Sequence, residues 1–392
     1  MMSLLPVADA QARLFALASP LPHEDAPLAH CTNRWLASDI ASLRDQPFAD
    51  LSAMDGYALA AGDGPWHVTQ ESSAGGPFPR PLGAGEAARI FTGAAVPFGA
   101  DAILIQENAT REGDTLTPAT DDPLPPGLPI RPRGSDFASG DLLFPAGTRL
   151  GPAQLSLTAL GGYGALPVHR RPRIAILSTG NELVAPGAPI PAGKLPSSNA
   201  ILLAAMLAAF PCDVDDMGII PDDLAAMTSA FDACRHADII VSTGGASVGD
   251  HDLVRPAFAA AGGTLDFWKI RMRPGKPLIA GTLGSATFLG LPGNPVSAFV
   301  TATLFLLPLV RHLSGDPTPL PRLTTAPLAT HLGATGTRDE YLRARMTQEG
   351  AVALTAQDSA ATRALAAADC LIVRPAGAAI AGKGTLVTIL PI

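Results

Sequence analysis

The chain lacks an excess of positive charge, closely spaced cysteines and an unbroken hydrophobic run. Its 392 residues include 27 Lys and Arg against 35 Asp and Glu, so the formal net charge is −8. Broad nucleic-acid binding needs a basic face, and this acidic balance disfavours that class of function. A local basic pocket stays compatible with it, because the average charge says nothing about a single cleft.

Cysteine is scarce: the chain has four, Cys31, Cys212, Cys234 and Cys370. They lie far apart and form no C-x-x-C pair, which disfavours a zinc ribbon or a redox motif. We expect reduced structural cysteines in a cytoplasmic protein. The N-terminus has no basic segment ahead of an apolar core, so no signal peptide is predicted.

No charged residue occurs over 278–310, but this stretch is interrupted by several glycines and prolines. Its longest helix-compatible part, Val296–Val310, is about 15 residues, against the roughly 20 that a membrane span needs. We therefore predict a buried helix and no membrane association. Apolar residues make up 47% of the chain and charged residues 16%, which is typical of a compact protein.

The pattern along the chain predicts several domains. A helix over 3–20 is followed, from about 45 to 150, by short strands separated by Gly, Pro and Asp. From Arg171 to Gly315, apolar strands such as Arg173–Ser178 and Asp238–Ser242 alternate with helices, as in a doubly wound, mostly parallel α/β domain. Residues 318–392 lack the helical period and predict a small β domain.

Glycine-rich polar loops follow three of the predicted α/β strands, at Ser178–Leu183, Ser242–Asp250 and Gly290–Pro295. Ligands of open α/β sheets bind at the carboxyl ends of the strands, so these loops predict one ligand site. An ordinary strand–helix turn is the alternative for each loop alone. Neither a Walker A loop nor the G-x-G-x-x-G spacing is present, which weakens ATPase and dehydrogenase functions.

Charged residues near these loops predict an anion and a cation. Lys269, Arg271 and Arg273 would share one face if extended, close to the Pro-Gly-Lys-Pro turn that contains Lys276. A solvated edge strand is the alternative. The carboxylates Glu182, Asp222, Asp250 and Asp252 suggest a hard cation such as Mg²⁺, although Asp222 could equally cap a helix.

Taken in order, the motifs resemble the MoeA family, which also occurs as the E domain of gephyrin and of its plant homologue. The strings SAMDGYA and LPGNPVSA are the most specific. The matching segments are Ser52–Ala58, Phe91–Ala94, Arg133–Gly140, Phe144–Leu150, Ser178–Leu183, Ser242–Gly249, Arg273–Pro277 and Leu291–Ala298.

The resemblance implies insertion of molybdate, the substrate, into adenylylated molybdopterin, with Mg²⁺ as cofactor and release of AMP. It implies a homodimer whose active site is shared between subunits, with transient contacts to a MogA-like adenylyltransferase and to apo-molybdoenzymes. The implied domains are a discontinuous linking domain (1–44 and 141–170), an inserted β domain (45–140), a MogA-like α/β domain (171–316) and a C-terminal β-barrel (317–392).

The resemblance also implies roles for individual residues. The catalytic residues would be Asp55, Asp136, Glu182 and Asp252, and the metal ligands would be Glu182, Asp222 and Asp252. The substrate-binding residues would be Thr92, Ser178, Thr179, Gly180, Gly244, Gly245, Ser247, Gly249, Lys269, Arg273, Lys276, Pro292, Gly293, Asn294, Pro295, Ser297, Arg343 and Ser359. Asp55 would act as a general acid or base, or would position water.

Three positions depart from the family pattern. Asn181 stands where Asp is frequent, Ser197 where an acid usually precedes the Ser/Thr-Asn pair, and Arg273 where some relatives have Lys. Two functions are alternatives to molybdate insertion. One is a non-catalytic molybdopterin-binding scaffold, and the other is a MogA-type molybdopterin adenylyltransferase. Tungstate remains an alternative to molybdate, since it has the same charge and nearly the same shape.

Overall fold

The computed structural model describes residues 4–120, 124–245 and 253–392, which form two compact units. The described residues of the larger unit fall in Met1–Asp25, Thr32–Ala37 and Pro167–Ile392, and those of the smaller unit in Ala26–Cys31 and Ser38–Leu166. The finer division into four domains stays a prediction.

The larger unit contains a six-stranded central sheet. Its strands, in spatial order, are Asp213–Ile220, Arg173–Thr179, Ile239–Thr243, Ala286–Leu291, Ile279–Leu283 and Thr264–Trp268. The first four are parallel and the last two pair antiparallel, which confirms a mostly parallel sheet. The chain leaves Arg173–Thr179 to form the edge strand and then crosses back to Ile239–Thr243, so a topological switch point lies between these two strands.

Helices cover both faces of this sheet, which explains its apolar strands. Ile174 and Ile176 join one buried cluster, whereas Ala175 and Leu177 join another on the opposite face. The helices of the larger unit are Val7–Ala16, Asn199–Leu207, Leu224–Ala233, Val254–Ala260, Pro295–Thr301, Leu307–Leu313 and Thr362–Leu365, with a 3₁₀ turn at Cys234–His236.

One helical run extends over Pro295–Leu313, and a π turn at Ala302–Leu306 lets it continue through Pro308. Proline has no N–H for the carbonyl of Leu304, and the buried side chain of Gln11 donates to that oxygen instead, at 2.8 Å. By length and composition the run could cross a membrane, but 78% of its most apolar 18-residue window is buried inside the protein. The burial agrees with the predicted core helix.

The C-terminal strands close into a small barrel. Strands Asp339–Thr347, Cys370–Arg374, Leu386–Pro391 and Thr324–Pro327 are neighbours in that order, and Gly350–Ala353 pairs with the first. A bridge between Leu328 and Ala351 joins the two ends of this row. The short strand Met272–Arg273 also pairs with Asp339–Thr347, so it brings the basic turn beside the barrel.

The smaller unit is built on the predicted β-rich module. Its six-stranded sheet has the order Ala100–Ile105, Gly56–Ala60, Glu86–Ile90, Trp66–Ser72, Thr115–Pro118 and Ala109–Glu112. Short pairs join Leu51–Ser52 to Ile130–Arg131 and Ile40–Ala41 to Leu142–Phe144, and the helical segments are Leu28–His30, Gln106–Asn108 and Pro152–Leu160. Two further short strands of the chain are His23–Pro27 and Ala165–His169, and a small parallel pair joins Leu183–Val184 to Leu195–Pro196.

Candidate active site

A cleft of about 670 Å³ lies at the carboxyl edge of the central sheet. Thr179 and Thr243 end the two strands that flank the switch point, and both line the cleft. Ligand sites are expected at this place in open α/β sheets. The other lining residues are Gly180, Glu182, Leu183, Leu195, Pro196, Ser197, Ser198, Asn199, Asp222, Gly244, Gly245, Pro277, Pro292, Gly293, Asn294, Pro295 and Ala360.

Glycines allow the loops to approach one another closely in this cleft. Gly244 has φ +94°, and a Cβ there would lie 2.5 Å from the carbonyl oxygen of Thr179. A Cβ on Gly180 would lie 2.6 Å from both carboxylate oxygens of Glu182, so this acid folds back against the backbone. The loops therefore depend on glycine for their packing as well as for their conformation.

A second cavity of about 280 Å³ adjoins the first, and Pro277, Pro292 and Asn294 line both. Its charged lining residues are Arg273, Lys276, Arg338 and Asp358, with Pro274, Gly275, Ser297, Gln357 and Ser359 completing it. Among the described lining residues, the first cavity has carboxylates and no Lys or Arg, whereas the second is predominantly cationic. We call them the acidic cleft and the basic pocket.

The basic turn differs from the extended segment suggested by alternating charges. Lys269 has φ +73°, and the N–H of Ile270 donates to the carbonyl oxygen of Lys276 at 2.9 Å, so the chain turns. The side chains of Arg273 and Lys276 reach the basic pocket, while Lys269 lies outside both cavities. Arg273 also lies 3.9 Å from Glu340 on the paired barrel strand.

Asn294 does not cap the helix that begins at Pro295. Its side-chain amide donates to the hydroxyl oxygen of Ser359 at 2.8 Å, and the N–H of Val296 donates to the carbonyl oxygen of Ser359 at 3.2 Å. Proline has no N–H and the N–H of Val296 already has a partner, so the helix start offers few free donors to an anion. The two hydrogen bonds to Ser359 instead attach the loop around Ser359 to the wall that the two cavities share.

Arg343 lies beneath this loop and is fully buried. Its guanidinium donates to the carbonyl oxygens of Ala356 and Asp358 at 2.7 and 3.0 Å. Gln357 bonds to the backbone of Arg343 through both ends of its amide. Arg343 therefore supports the loop that lines the basic pocket and lies outside the lining itself.

Asp222 lines the acidic cleft and leaves the capping role to its neighbour. The side chain of Asp223 accepts from the N–H of Ala226 at 2.8 Å, whereas Asp222 accepts from the N–H of Asn181 at 2.9 Å. The sequence left capping and function equally open for Asp222, and the structure shows that Asp222 does not cap the helix. Ser178 lies outside the lining, buried with its hydroxyl oxygen 3.2 Å from that of Ser197.

Two carboxylates of the smaller unit were predicted to be catalytic. One carboxylate oxygen of Asp55 accepts hydrogen bonds from the backbone N–H and the hydroxyl of Thr92, at 2.7 and 2.8 Å. These bonds lower the pKa of Asp55, which is therefore ionised at neutral pH and has no proton to donate. Asp136 is exposed, on a turn whose backbone bonds to Gln46.

Ser247, Gly249, Asp250 and Asp252 lie outside the described residues. Within the described part, no group of three or more His, Cys, Asp or Glu could hold a metal ion. Glu182 and Asp222 nevertheless supply hard oxygen donors to one cleft. Mg²⁺ is usually held by one or two carboxylates together with water and substrate phosphates, so this pair fits a cation shared with a phosphate-bearing ligand.

Sequence reasoning missed several lining residues, notably Arg338, Gln357 and Asp358 of the basic pocket and Asn199 of the acidic cleft. The barrel residues gave no local signal, because they reach the pocket through tertiary contacts, namely the pairing of strand Met272–Arg273 and the bonds from Asn294 and Val296 to Ser359. The Asn199 amide donates to the carbonyl oxygen of Gly293 at 2.8 Å, a contact between residues 94 positions apart.

Comparison with known proteins identifies the family. A model of the MoeA N-terminal region (domains I and II) matches residues 5–162, one described as "Probable molybdopterin binding domain" matches residues 175–312, and one of the MoeA C-terminal region (domain IV) matches residues 325–392. The chain belongs to the MoeA family. The expected family is therefore confirmed, and the matched regions together span most of the chain.

Individual relatives agree with this assignment. A molybdopterin molybdenumtransferase of Haemophilus influenzae is 37% identical over 305 residues, covering 76% of this chain and 75% of the relative. One of Staphylococcus aureus (strain MSSA476) is 29% identical over 387 residues, covering 95% and 92%. The solved MoeA structure from Pyrococcus horikosii, named as a molybdopterin biosynthesis protein, superposes with a TM-score of 0.84 at 28% identity and covers 99% of each chain.

Proposed function

We propose that this chain inserts molybdate into adenylylated molybdopterin, with Mg²⁺ and with release of AMP. As a MoeA-family member whose relatives are molybdopterin molybdenumtransferases, it is a transferase of molybdenum cofactor biosynthesis. The single observation that supports the finer proposal is the adjoining pair of cavities of opposite charge, because the reaction must bring a free oxyanion to a large phosphate-bearing pterin.

The basic pocket is the proposed molybdate site. Arg273, Lys276 and Arg338 outweigh the single carboxylate of Asp358, so the pocket favours a small dianion. Guanidinium groups present planar sets of donors that suit tetrahedral oxyanions, and the ammonium adds a compact charge. Ser297 and Ser359 contribute hydroxyl groups to the same lining.

The acidic cleft is the proposed site of the adenylylated pterin. Its volume suits a ligand much larger than molybdate, and Gly244 and Gly245 allow backbone to approach that ligand closely. Glu182 and Asp222 would hold Mg²⁺, with Asp252 as a further proposed ligand. When bound, Mg²⁺ polarises the phosphoanhydride and offsets the negative charge of the phosphates.

Asp55 and Asp136 are proposed to contribute carboxylates to the reaction. Because Asp55 is held as an anion by Thr92, we assign it the positioning of water rather than proton donation. We also propose a cytoplasmic homodimer with an active site shared between subunits, which meets a MogA-like adenylyltransferase and apo-molybdoenzymes transiently. None of the four cysteines, all of which lie within the described residues, forms a disulfide, which supports a reducing compartment.

Reconstitution of an apo-molybdoenzyme tests this function. The purified chain, adenylylated molybdopterin, molybdate and Mg²⁺ should activate the apoenzyme and release AMP without added ATP. Binding of molybdopterin without any activation would favour the scaffold alternative. ATP-dependent formation of adenylylated pterin from molybdopterin would favour the adenylyltransferase, and replacing molybdate by tungstate shows which oxyanion is preferred.

A further inference from the structure

Two loops at the edge of the central sheet are joined by reciprocal hydrogen bonds. The N–H of Asn181 donates to Oδ2 of Asp222 at 2.9 Å, and the N–H of Asp222 donates to Oδ1 of Asn181 at 3.1 Å. Asn181 follows strand Arg173–Thr179, and Asp222 follows the neighbouring strand Asp213–Ile220. We call this contact the Asn181–Asp222 pair, and it fixes the separation of the two loops that carry Glu182 and Asp222.

The pair acts on the acidic cleft through Asp222. Asp222 lines the cleft while one of its oxygens is held, and the helix that follows is capped by Asp223 instead. Asn181 is exposed and lies outside the cleft lining. Its own carbonyl oxygen accepts a hydrogen bond from the ammonium group of Lys194, which adds a further contact to the same loop.

We infer that Asn181 is a positioning residue that orients the Asp222 carboxylate and limits the negative charge beside it. The inference rests on the proposed function, in which Asp222 contributes to a cation site. The pair uses the side-chain oxygen of Asn181, and Asp would supply the same acceptor. Asp would also add a charge next to Asp222, which repels that carboxylate and attracts a divalent cation more strongly.

Binding of Mn²⁺ to the full chain, measured from the electron paramagnetic resonance of free Mn²⁺ without substrate, tests this. Asn181→Asp keeps both hydrogen bonds and should lower the Kd for Mn²⁺ about three- to tenfold. Asn181→Ala leaves the N–H of Asp222 without its acceptor and should raise the Kd about three- to tenfold. Asp223→Asn changes a carboxylate that caps the helix and lies outside the cleft lining, and Asn is also a good capping residue, so the Kd should stay within about twofold of wild type.

A double-mutant cycle separates positioning from general destabilisation. If Asn181 acts through Asp222, then Asn181→Ala should change the Kd for Mn²⁺ by less than about twofold in an Asp222→Asn background. If Asn181→Ala changes the Kd for Mn²⁺ equally in the wild type and in Asp222→Asn, the inference is overturned. Wild-type affinity in both Asn181 variants, or a wild-type chain that does not bind Mn²⁺, overturns it as well.

The binding measurement needs no turnover, so its outcome is independent of the reconstitution assay. A chain whose variants bind Mn²⁺ in the expected order but never activate an apoenzyme contradicts the proposed function and leaves the role of Asn181 standing. If the chain activates the apoenzyme but substitutions of Asn181 leave its Kd for Mn²⁺ unchanged, the role of Asn181 is contradicted and the proposed function is not.

Discussion

Single hydrogen bonds decide the roles of the acidic residues, and sequence pattern predicts them poorly. Asp222 and Asp223 both stand where a helix begins, and either fits a capping position by residue type. The backbone directs only Asp223 to the helix N–H groups, and the contact between Asp222 and Asn181 joins residues 41 positions apart. Such contacts depend on the order of strands in the sheet, and the spacing of residues within one segment cannot predict that order.

The Asp55 carboxylate provides a test at this scale. Two donors from Thr92 lower its pKa, so functions that need ionised Asp55 should persist as the pH falls and be lost only below the ordinary range of an aspartate. Thr92→Val removes the hydroxyl donor and should raise the pKa of Asp55, moving that loss to higher pH. Thr92→Ser keeps the hydroxyl and should leave the pKa unchanged.

The pKa of Asp55 can be read from the ¹³C shift of its carboxyl group in aspartate-labelled protein, with Asp55→Asn assigning the signal. An Asp55 that titrates in the ordinary range in the wild type, or a Thr92→Val variant with an unshifted pKa, would show that Thr92 does not hold the anion.

At the scale of elements, apolar strands were predicted well and the basic turn was not. The runs Arg173–Thr179 and Ile239–Thr243 are buried on both faces, and this burial is what their composition encodes. The segment after Trp268 carries alternating charges but turns at Lys269, because hydrogen bonds of residues 269–271 go to Lys276 and to Leu5 before Met272–Arg273 pairs with the barrel strand. Tertiary contacts therefore override the local alternation.

Two glycines of the site should lose different amounts of stability when replaced by alanine. Gly275 has φ +102°, and a Cβ there would lie 2.6 Å from Cγ2 of buried Thr301, so Gly275→Ala should lower the free energy of unfolding by about 2–4 kcal/mol. A Cβ on Gly293 would contact only the backbone of Gly244, with its Cα at an ordinary 3.5 Å, so Gly293→Ala should cost less than about 1 kcal/mol. Urea unfolding of both variants measures the difference, and equal losses would contradict this account of the basic turn.

At the scale of the whole molecule, the order of motifs predicted the family, and the α/β class followed from the alternation of strands and helices. The barrel was harder to predict from the sequence, because its closure depends on the bridge between Leu328 and Ala351, and residues 272–273 add a strand from outside the C-terminal segment. The sequence likewise does not predict the division of charge between two adjoining cavities, because their lining residues come from distant segments that meet only in the folded chain. That division is the central claim of this account.

Steady-state kinetics of the reconstitution assay tests the claim most directly, by measuring KM for molybdate and for adenylylated molybdopterin in the same variants. Lys276→Ala should raise KM for molybdate about tenfold or more, as the loss of a charged hydrogen-bond donor predicts, and leave KM for the pterin within about twofold. Lys383→Ala, which removes a surface ion pair with Glu349, serves as the control and should change neither constant. A Lys276→Ala variant that raises KM for the pterin but not for molybdate would contradict the division of the two substrates between the cavities.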